Sequence, residues 1–182
     1  LRDSDRLIVL LGNDRFFTYQ NVYRARGLGI ENGLNWQAPG RYLALEGTLT
    51  WQSVRNASSQ GAFGNFEGDR IPNRPYLFAS FGANLRFERV ARASDAIEPF
   101  YGARYVHSFY RTWESLGSLE LKPRADAQLV HAVGLSYASE AEQRAISTTV
   151  EMQNVGDARV YDFFGVQRPG RPPLVLHGSA GA

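Results

Sequence analysis

Residues Leu77 to Glu88 read LFASFGANLRFE, with an apolar side chain at every odd position and mostly polar or small residues between them. A period of two is typical of a β-strand that has one apolar face and one polar face. The same alternation returns in residues 28–36, 43–52 and 146–153. Because helical spacing is nowhere sustained over a comparable length, the sequence predicts an all-β chain.

Composition narrows the class of protein. The 182 residues are 43% hydrophobic with a mean hydropathy of -0.33, and no run approaches the ~20 apolar residues of a membrane helix. A transmembrane β-barrel passes this test because only alternate residues face lipid, and its aromatic girdles would account for the 13% aromatic content. The absence of cysteine excludes disulfides and thiolate sites. A net charge of +2 with scattered basic residues gives no support for a nucleic-acid partner.

The predicted strands are long. Several exceed the five or six residues usual in globular sheets and reach the ~9–11 residues that a tilted membrane-spanning strand needs. In chain order they are Asp5 to Leu11, Phe16 to Trp36, Arg41 to Arg55, Arg74 to Arg89, Ala96 to Thr112, Ala127 to Ala138, Arg144 to Gln153, and a weak last strand from Arg171 to His177.

The predicted connections alternate between short and long. Gln37 to Gly40, Val90 to Asp95 and Ser139 to Gln143 are short, whereas Asn56 to Asn73, Trp113 to Arg124 and Asn154 to Gly170 are long. Bacterial outer-membrane barrels have short periplasmic turns and long extracellular loops. The alternation therefore favours an antiparallel transmembrane β-barrel with its long loops outside and its C-terminus in the periplasm.

Arg86 decides which face of the predicted strand looks away from lipid. An arginine facing lipid near the midplane costs about 2–4 kcal/mol, so Arg86 is expected to face the barrel interior. Leu77, Phe81 and Leu85 then face lipid, in agreement with their hydrophobicity. The charged residues expected to face the lumen are Glu31, Glu46, Arg86, Glu88 and Arg104. His107 and His131 fall on apolar faces, which this assignment explains only if they lie near a membrane interface.

Three segments carry a family resemblance. The first comprises Asn21, Arg24, Ala25, Gly29, Ile30 and Glu31; the second is IPNRP, from Ile71 to Pro75. The third and most specific comprises Gln153, Asn154, Asp157, Ala158, Tyr161, Phe164, Gly165, Arg168, Pro169, Gly170 and Arg171. In this order, and with this alternation of loops, the chain resembles the C-terminal part of the TonB-dependent outer-membrane receptors.

The resemblance implies a plugged barrel of the ~22-stranded kind, to which this chain would supply about eight C-terminal strands. Residues 1–177 would form this C-terminal β-barrel region, followed by a tail at 178–182. The implied location is the bacterial outer membrane, and the implied partners are membrane lipid, the plug domain of the same protein and, through an N-terminal region, the TonB complex. The implied function is TonB-dependent uptake of a scarce, large solute such as a siderophore, cobalamin or a glycan. Pro172 and Pro173 depart from the uninterrupted last strand of the family.

Candidate ligand contacts lie in the long loops, where binding residues are often found. They are Phe63, Phe66, Tyr161, Phe163 and Phe164, for each of which simple loop packing is the alternative. The three histidines, His107, His131 and His177, lie on different strands without a second ligand at metal spacing. No nucleophile motif or phosphate-binding fingerprint occurs, so the sequence predicts no enzyme, no cofactor and no metal.

Two other architectures fit the same pattern. One is a complete eight-stranded outer-membrane barrel with an anchoring or adhesion role, its interior filled by its own side chains. The other is a soluble β-barrel or sandwich that binds a small ligand. An upstream plug sequence separates the receptor from the small barrel, and stability without detergent separates the soluble protein from both.

Overall fold

The computed structural model describes residues 2–4, 7–12, 17–22, 24–118, 122–141, 144–161, 167–168 and 174–181. These residues form β-strands joined by loops, with one short 3₁₀ turn at Gly64–Phe66. The strands are β1 (Arg2–Ser4), β2 (Leu7–Gly12), β3 (Phe17–Val22), β4 (Ala25–Gln37), β5 (Leu43–Asn56), β6 (Leu77–Leu85), β7 (Phe87–Glu88), β8 (Asp95–Val106), β9 (Phe109–Tyr110), β10 (Arg124–Ala125), β11 (Gln128–Ala141), β12 (Arg144–Gln153), β13 (Val160–Tyr161), β14 (Gln167–Arg168) and β15 (Leu174–Gly181).

One antiparallel sheet contains the long strands in the order β1-β4-β5-β6-β8-β11-β12-β15, with β7 also paired to β8. The prediction of an all-β antiparallel chain is confirmed. The predicted strand Arg144 to Gln153 has the observed bounds, and that from Arg41 to Arg55 differs by a residue or two. Within the described residues, β1 pairs only with β4 and β15 only with β12, so the sheet has two free edges.

The predicted single strand from Phe16 to Trp36 is wrong, because β3 and β4 are separate. The amide of Arg24 donates to Ser58 Oγ at 2.8 Å and its carbonyl accepts from the amide of Ala57 at 2.8 Å. Arg24 therefore bonds to a loop instead of a strand partner. Beyond the break, β3 pairs with β2. The register between β2 and β3 is the same as that between β1 and β4, so the two pairs form one long hairpin that extends past the large sheet.

The last strand also differs from the prediction of Arg171 to His177. It spans Leu174–Gly181 and pairs with residues 145–152 along β12. The first part of the predicted strand, from Arg171 to Pro173, lies outside the described residues. Gly178, Ser179 and Ala180 give no alternating signal in the sequence, yet they continue the ladder to β12.

The register gives the sheet two different faces. Residues directly opposite each other in neighbouring strands share a face. Ile30, Trp51 and Leu77 stand opposite one another, as do Trp36, Leu45, Ala83, Tyr101, Val133 and Met152. We call this side the apolar face. Among the strand residues whose side chains the structure describes, the well-exposed large apolar ones lie on this face, and Leu34 is 60% exposed.

Short turns close one end of the sheet. The buried carboxylate of Asp95 accepts the amides of Val90 at 2.8 Å, Ala91 at 3.1 Å and Arg92 at 3.0 Å. In the preceding short turn, Gly40 and Arg41 both have positive φ, at 80° and 58°. All the long loops lie at the opposite end, because consecutive strands are antiparallel. In the residues that the structure describes, no helix is long and apolar enough to cross a membrane.

Candidate functional site

The polar face of the sheet, opposite the apolar face, carries the charged residues predicted for a lumen. Glu31 stands opposite Thr50, Glu46 opposite Gly82, and Arg104 opposite Ser80. All three are exposed, and the register puts them on the same side. Their contact with a lumen stays a prediction, but the register does place them on one face.

Arg86 and Glu88 belong to a charged group near the short turns. Arg86 Nε lies 3.0 Å from Glu88 Oε1, and Arg86 Nη1 donates to Glu98 Oε1 on the neighbouring strand β8. All three side chains are well exposed, so each ion pair contributes only ~0–1 kcal/mol. The three charged side chains thus keep this part of the polar face hydrophilic.

A groove lies on the polar face beneath the long loops. Its volume is about 360 Å³, and its floor includes Arg104, Ser80, Thr48, Phe78 and Gln128 from the sheet. Asn73, Pro75 and Phe109 close its upper end. A hydroxyl pair, Thr48 Oγ1 and Ser80 Oγ at 2.7 Å, lies in this floor. The groove thus offers one cation, several hydroxyl and amide groups and apolar patches to a solute at the polar face.

Two long loops meet in a buried aromatic cluster. Trp113 is 4% exposed; its ring stacks on Phe66 with centroids 5.1 Å apart and planes 2° apart, and it meets Phe63 at 5.2 Å. Ile71 and Ala25 complete the cluster. We call residues 57–76 and 111–118 together the loop cap. Phe63 and Phe66 are therefore held by packing inside the cap, and ligand contact by either ring stays a prediction.

Polar contacts also join the two loops of the cap. Asp69 Oδ2 accepts the amide of Ser115 at 2.8 Å and its hydroxyl at 2.6 Å. Glu114 Oε2 accepts the amide of Arg70 at 3.1 Å, and Glu114 also lies within 3.9 Å of Arg55. Because each loop supplies both donors and acceptors to the other, the cap behaves as one unit.

Asn56, the last residue of β5 and directly before the cap, is 1% exposed and holds the first loop in its conformation. Its Nδ2 donates to the carbonyls of Phe63 at 2.7 Å and Phe66 at 3.0 Å, and its Oδ1 accepts the amide of Ser58 at 2.9 Å. The sequence pattern indicated Asn56 only as the first residue of a loop. An asparagine directly after the predicted strand from Arg41 to Arg55 is the signal that was available, since its side chain readily bonds to nearby backbone.

Asn56→Ala is expected to lower the free energy of local unfolding of the first cap loop by about 2–3 kcal/mol, because buried backbone groups lose their hydrogen-bond partners. Hydrogen-exchange mass spectrometry of residues 57–73 measures the effect, with the exposed Gln60→Ala as control. Equal protection of the loop in both variants would contradict the assigned role of Asn56.

The third long loop begins with a side-chain clamp. Asn154 Oδ1 accepts the amide of Ala158 at 2.9 Å, and Asn154 Nδ2 donates to the carbonyl of Ala158 at 3.1 Å. Asn154 and Asp157 both have positive φ, at 54° and 48°, a conformation that Asn and Asp adopt more easily than most residues. Tyr161 lies in β13, which pairs with β14. Phe163 and Phe164, also predicted to contact ligand, lie outside the described residues.

The two histidines on the apolar face each have a tyrosine partner. The hydroxyl of Tyr105 lies 2.6 Å from His107 Nδ1, and that of Tyr101 lies 2.7 Å from His131 Nδ1. The Tyr105–His107 pair lies at the long-loop end of β8, whereas Tyr101 lies in the middle of β8 and His131 near the long-loop end of β11. Pairing reduces the cost of placing a polar ring on an apolar face, and rings with one polar edge are typical of a membrane interface.

Comparison with known proteins bears on the fold. No protein-family model matches the chain, and no curated protein sequence matches it. The crystal structure of BauA, the ferric preacinetobactin receptor from Acinetobacter baumannii, is similar to this chain with a TM-score of 0.68 and 15% sequence identity. The similarity covers 96% of this chain and 25% of that receptor, so the chain spans about a quarter of the receptor's length. At this identity the likeness concerns the fold: the chain has the all-β, antiparallel architecture found in part of a receptor structure.

Proposed function

We propose that this chain forms part of the barrel wall and outer loops of a TonB-dependent outer-membrane receptor. The observation that carries the proposal is the separation of the two faces of one long-stranded sheet. Large apolar side chains cover one face and remain exposed, whereas Glu31, Glu46 and Arg104 share the other. Soluble monomers rarely expose an apolar patch larger than a few hundred Å², so the apolar face needs a covering, and bilayer lipid matches its shape and chemistry.

The solute class follows from the family resemblance and from the fold likeness to a ferric siderophore receptor. In this proposal the loop cap and the groove beneath it take part in capturing a scarce, large solute, of which a ferric siderophore is the first to test. A plug domain of the same protein and the TonB complex would supply gating and energy, and this chain would act without catalysis.

The free edges of the sheet favour a larger barrel over a complete small one. A closed eight-stranded barrel requires its first and last strands to pair, whereas β1 and β15 have no such pairing in the described residues. Edges of this kind cannot face lipid unpaired, because each unsatisfied backbone group costs several kcal/mol there. Further strands of the same wall would satisfy them.

Uptake in cells tests the proposal. Deletion of the full-length gene is expected to abolish accumulation of one radiolabelled ferric siderophore from a panel, and loss of TonB is expected to do the same. Complementation with the full-length gene should restore accumulation. Unchanged accumulation of every siderophore, cobalamin and glycan in the panel would reject the transport function.

A further inference from the structure

A second cavity, separate from the polar groove, lies beside the loop cap and is rich in arginine. Its volume is about 300 Å³, and its charged lining consists of Arg70, Arg74, Arg124 and Glu114. Three cations therefore face one carboxylate. Tyr76 and Tyr110 also line it, with Arg70 Cζ 4.5 Å from the centre of the Tyr76 ring and Arg124 Cζ 6.0 Å from that of Tyr110.

Two polar atoms at this cavity lack a hydrogen-bond partner. Arg70 Nε and Thr112 Oγ1 are buried and unbonded, and they are the atoms of this kind found among the described side chains. Glu114 Oε1 approaches Arg70 Nε only to 3.6 Å. Buried polar atoms without partners are uncommon, and an explanation is often an absent ligand, ion or water. Both residues line the same cavity, so a single acceptor-rich group placed there could bond to both.

The cavity lies at the long-loop end of the sheet, and part of its lining borders the apolar face. Arg55 alternates with Ser53 and Trp51, which places it on that face, and Arg70 is bridged to Arg55 across the ladder. Asn73 and Pro75 line the polar groove, whereas Arg74 and Tyr76, at the alternate positions, line this cavity.

Successive side-chain contacts connect the cavity to the apolar face. Arg70 covers Tyr76, the Tyr76 ring meets the His107 ring edge-on at 4.9 Å, and His107 bonds to Tyr105. Tyr105 in turn stands opposite Leu129 and Ala79 on the apolar face. The arginines of the cavity thus lie next to the rings of Tyr76 and His107, at the long-loop end of the apolar face.

We propose that this cavity, lined by Arg70, Arg74 and Arg124, binds the phosphate headgroup of a lipid in the surrounding leaflet. The inference rests on the membrane location in the proposed function and goes beyond it, since it concerns lipid instead of the transported solute. A phosphate oxygen accepts from arginine with strong, charge-assisted hydrogen bonds, and the acyl chains of the same lipid would lie against the apolar face. The excess of cations over Glu114 and the two unbonded polar atoms match a phosphoryl group in charge and in hydrogen bonding.

The test uses the full-length protein in a neutral detergent and native mass spectrometry. Arg74→Ala/Arg124→Ala removes two cations without leaving Glu114 unpaired, because Arg70 remains. Phosphatidic acid is expected to bind this double variant about thirtyfold more weakly than it binds the wild type. The control Arg89→Ala/Arg92→Ala removes two charges at the short-turn end and is expected to change binding by less than about twofold.

Two further probes distinguish the source of the phosphate. Diacylglycerol, which lacks a phosphate, is expected to bind the wild type and Arg74→Ala/Arg124→Ala alike, and glycerol 3-phosphate is expected to bind far more weakly than phosphatidic acid. Equal affinity of wild type and Arg74→Ala/Arg124→Ala for phosphatidic acid would overturn the site. Glycerol 3-phosphate binding as tight as that of phosphatidic acid would overturn the lipid and assign the cavity to a water-borne anion. A protein that stays monodisperse in buffer would overturn the membrane location together with the site, whereas a micelle-embedded protein without the arginine effect overturns the site alone.

Discussion

Phe81→Arg is expected to reduce the free energy of unfolding of the bilayer-embedded protein by about 2–4 kcal/mol, whereas Asn84→Arg should change it by less than ~0.5 kcal/mol. Phe81 lies at the centre of β6 on the apolar face and is 44% exposed there. Asn84 lies on the same strand, but opposite Ala44 and Phe100 on the polar face. Under the proposed function, the difference arises because only Phe81→Arg places a guanidinium in hydrocarbon.

Urea titration of the full-length protein folded into phospholipid vesicles measures both variants. Folded protein and heat-denatured protein migrate differently on a gel, and the urea concentration at which half of the folded band is lost is the midpoint of unfolding. Equal midpoints for Phe81→Arg and Asn84→Arg would contradict the assignment of the two faces. A large decrease in the midpoint for Asn84→Arg alone would reverse the assignment of the two faces.

Trp113→Ala is expected to separate the two loops of the cap and to raise their susceptibility to protease by at least tenfold. Removing a buried tryptophan costs about 3–5 kcal/mol, which is comparable to the whole local stability of many loops. The ring stacks on Phe66 and contacts Phe63, so no other side chain replaces its role in joining the loops. Because the strands pair independently of Trp113, the sheet should persist.

Limited trypsin digestion measures this effect, since Arg70 lies in one loop of the cap and Arg111 at the start of the other. The matched control is Leu116→Ala, in the same loop as Trp113 but 50% exposed. Cleavage of Trp113→Ala at the rate of Leu116→Ala would contradict the proposed role of the aromatic cluster. Under the proposed function, Trp113→Ala should also weaken solute capture without preventing insertion.

Alternation along the strands made the sheet largely predictable. A slip of one residue in register would exchange the apolar and polar faces of a strand, so the pattern of Leu77, Phe81 and Leu85 restricts how β6 can pair with its neighbours. Their partners Trp51, Ala103 and Leu43 were readable as strand residues for the same reason. The prediction that Glu31, Glu46 and Arg104 share a face needed only this parity.

Contacts between distant segments were not predictable in this way. Trp113 meets Phe63 and Phe66 across a long stretch of chain, and no periodicity marks a loop residue for such a contact. The break at Arg24 has a similar origin, because its backbone partner Ser58 belongs to a loop. The arginine-lined cavity beside the loop cap was not predictable either, because Arg70, Arg74 and Arg124 come together only when the sheet and the segments above it are in place.

The chemistry of the third loop was partly readable. Asn154, Asp157 and Ala158 carried the family resemblance, and the structure supplies a physical reason for two of them. Asn154 closes a five-residue turn by bonding to both backbone groups of Ala158, and Asp157 takes a positive φ in the same turn. Such side-chain bonds to nearby backbone are a known preference of asparagine, but its exact partner depends on the path of the loop.

Accessibility scanning along β6 and β7 measures which face of this part of the sheet lies against lipid. The chain contains no cysteine, so single cysteines at positions 77–88 of the full-length protein in vesicles can each carry a nitroxide label. We expect labels at 77, 79, 81, 83, 85 and 87 to collide preferentially with lipid-soluble oxygen. Labels at the even positions should collide preferentially with a water-soluble nickel complex. Loss of this alternation would contradict the assignment of the apolar face to lipid. Odd positions shielded from both reagents, as in the interior of a globular protein, would contradict it as well.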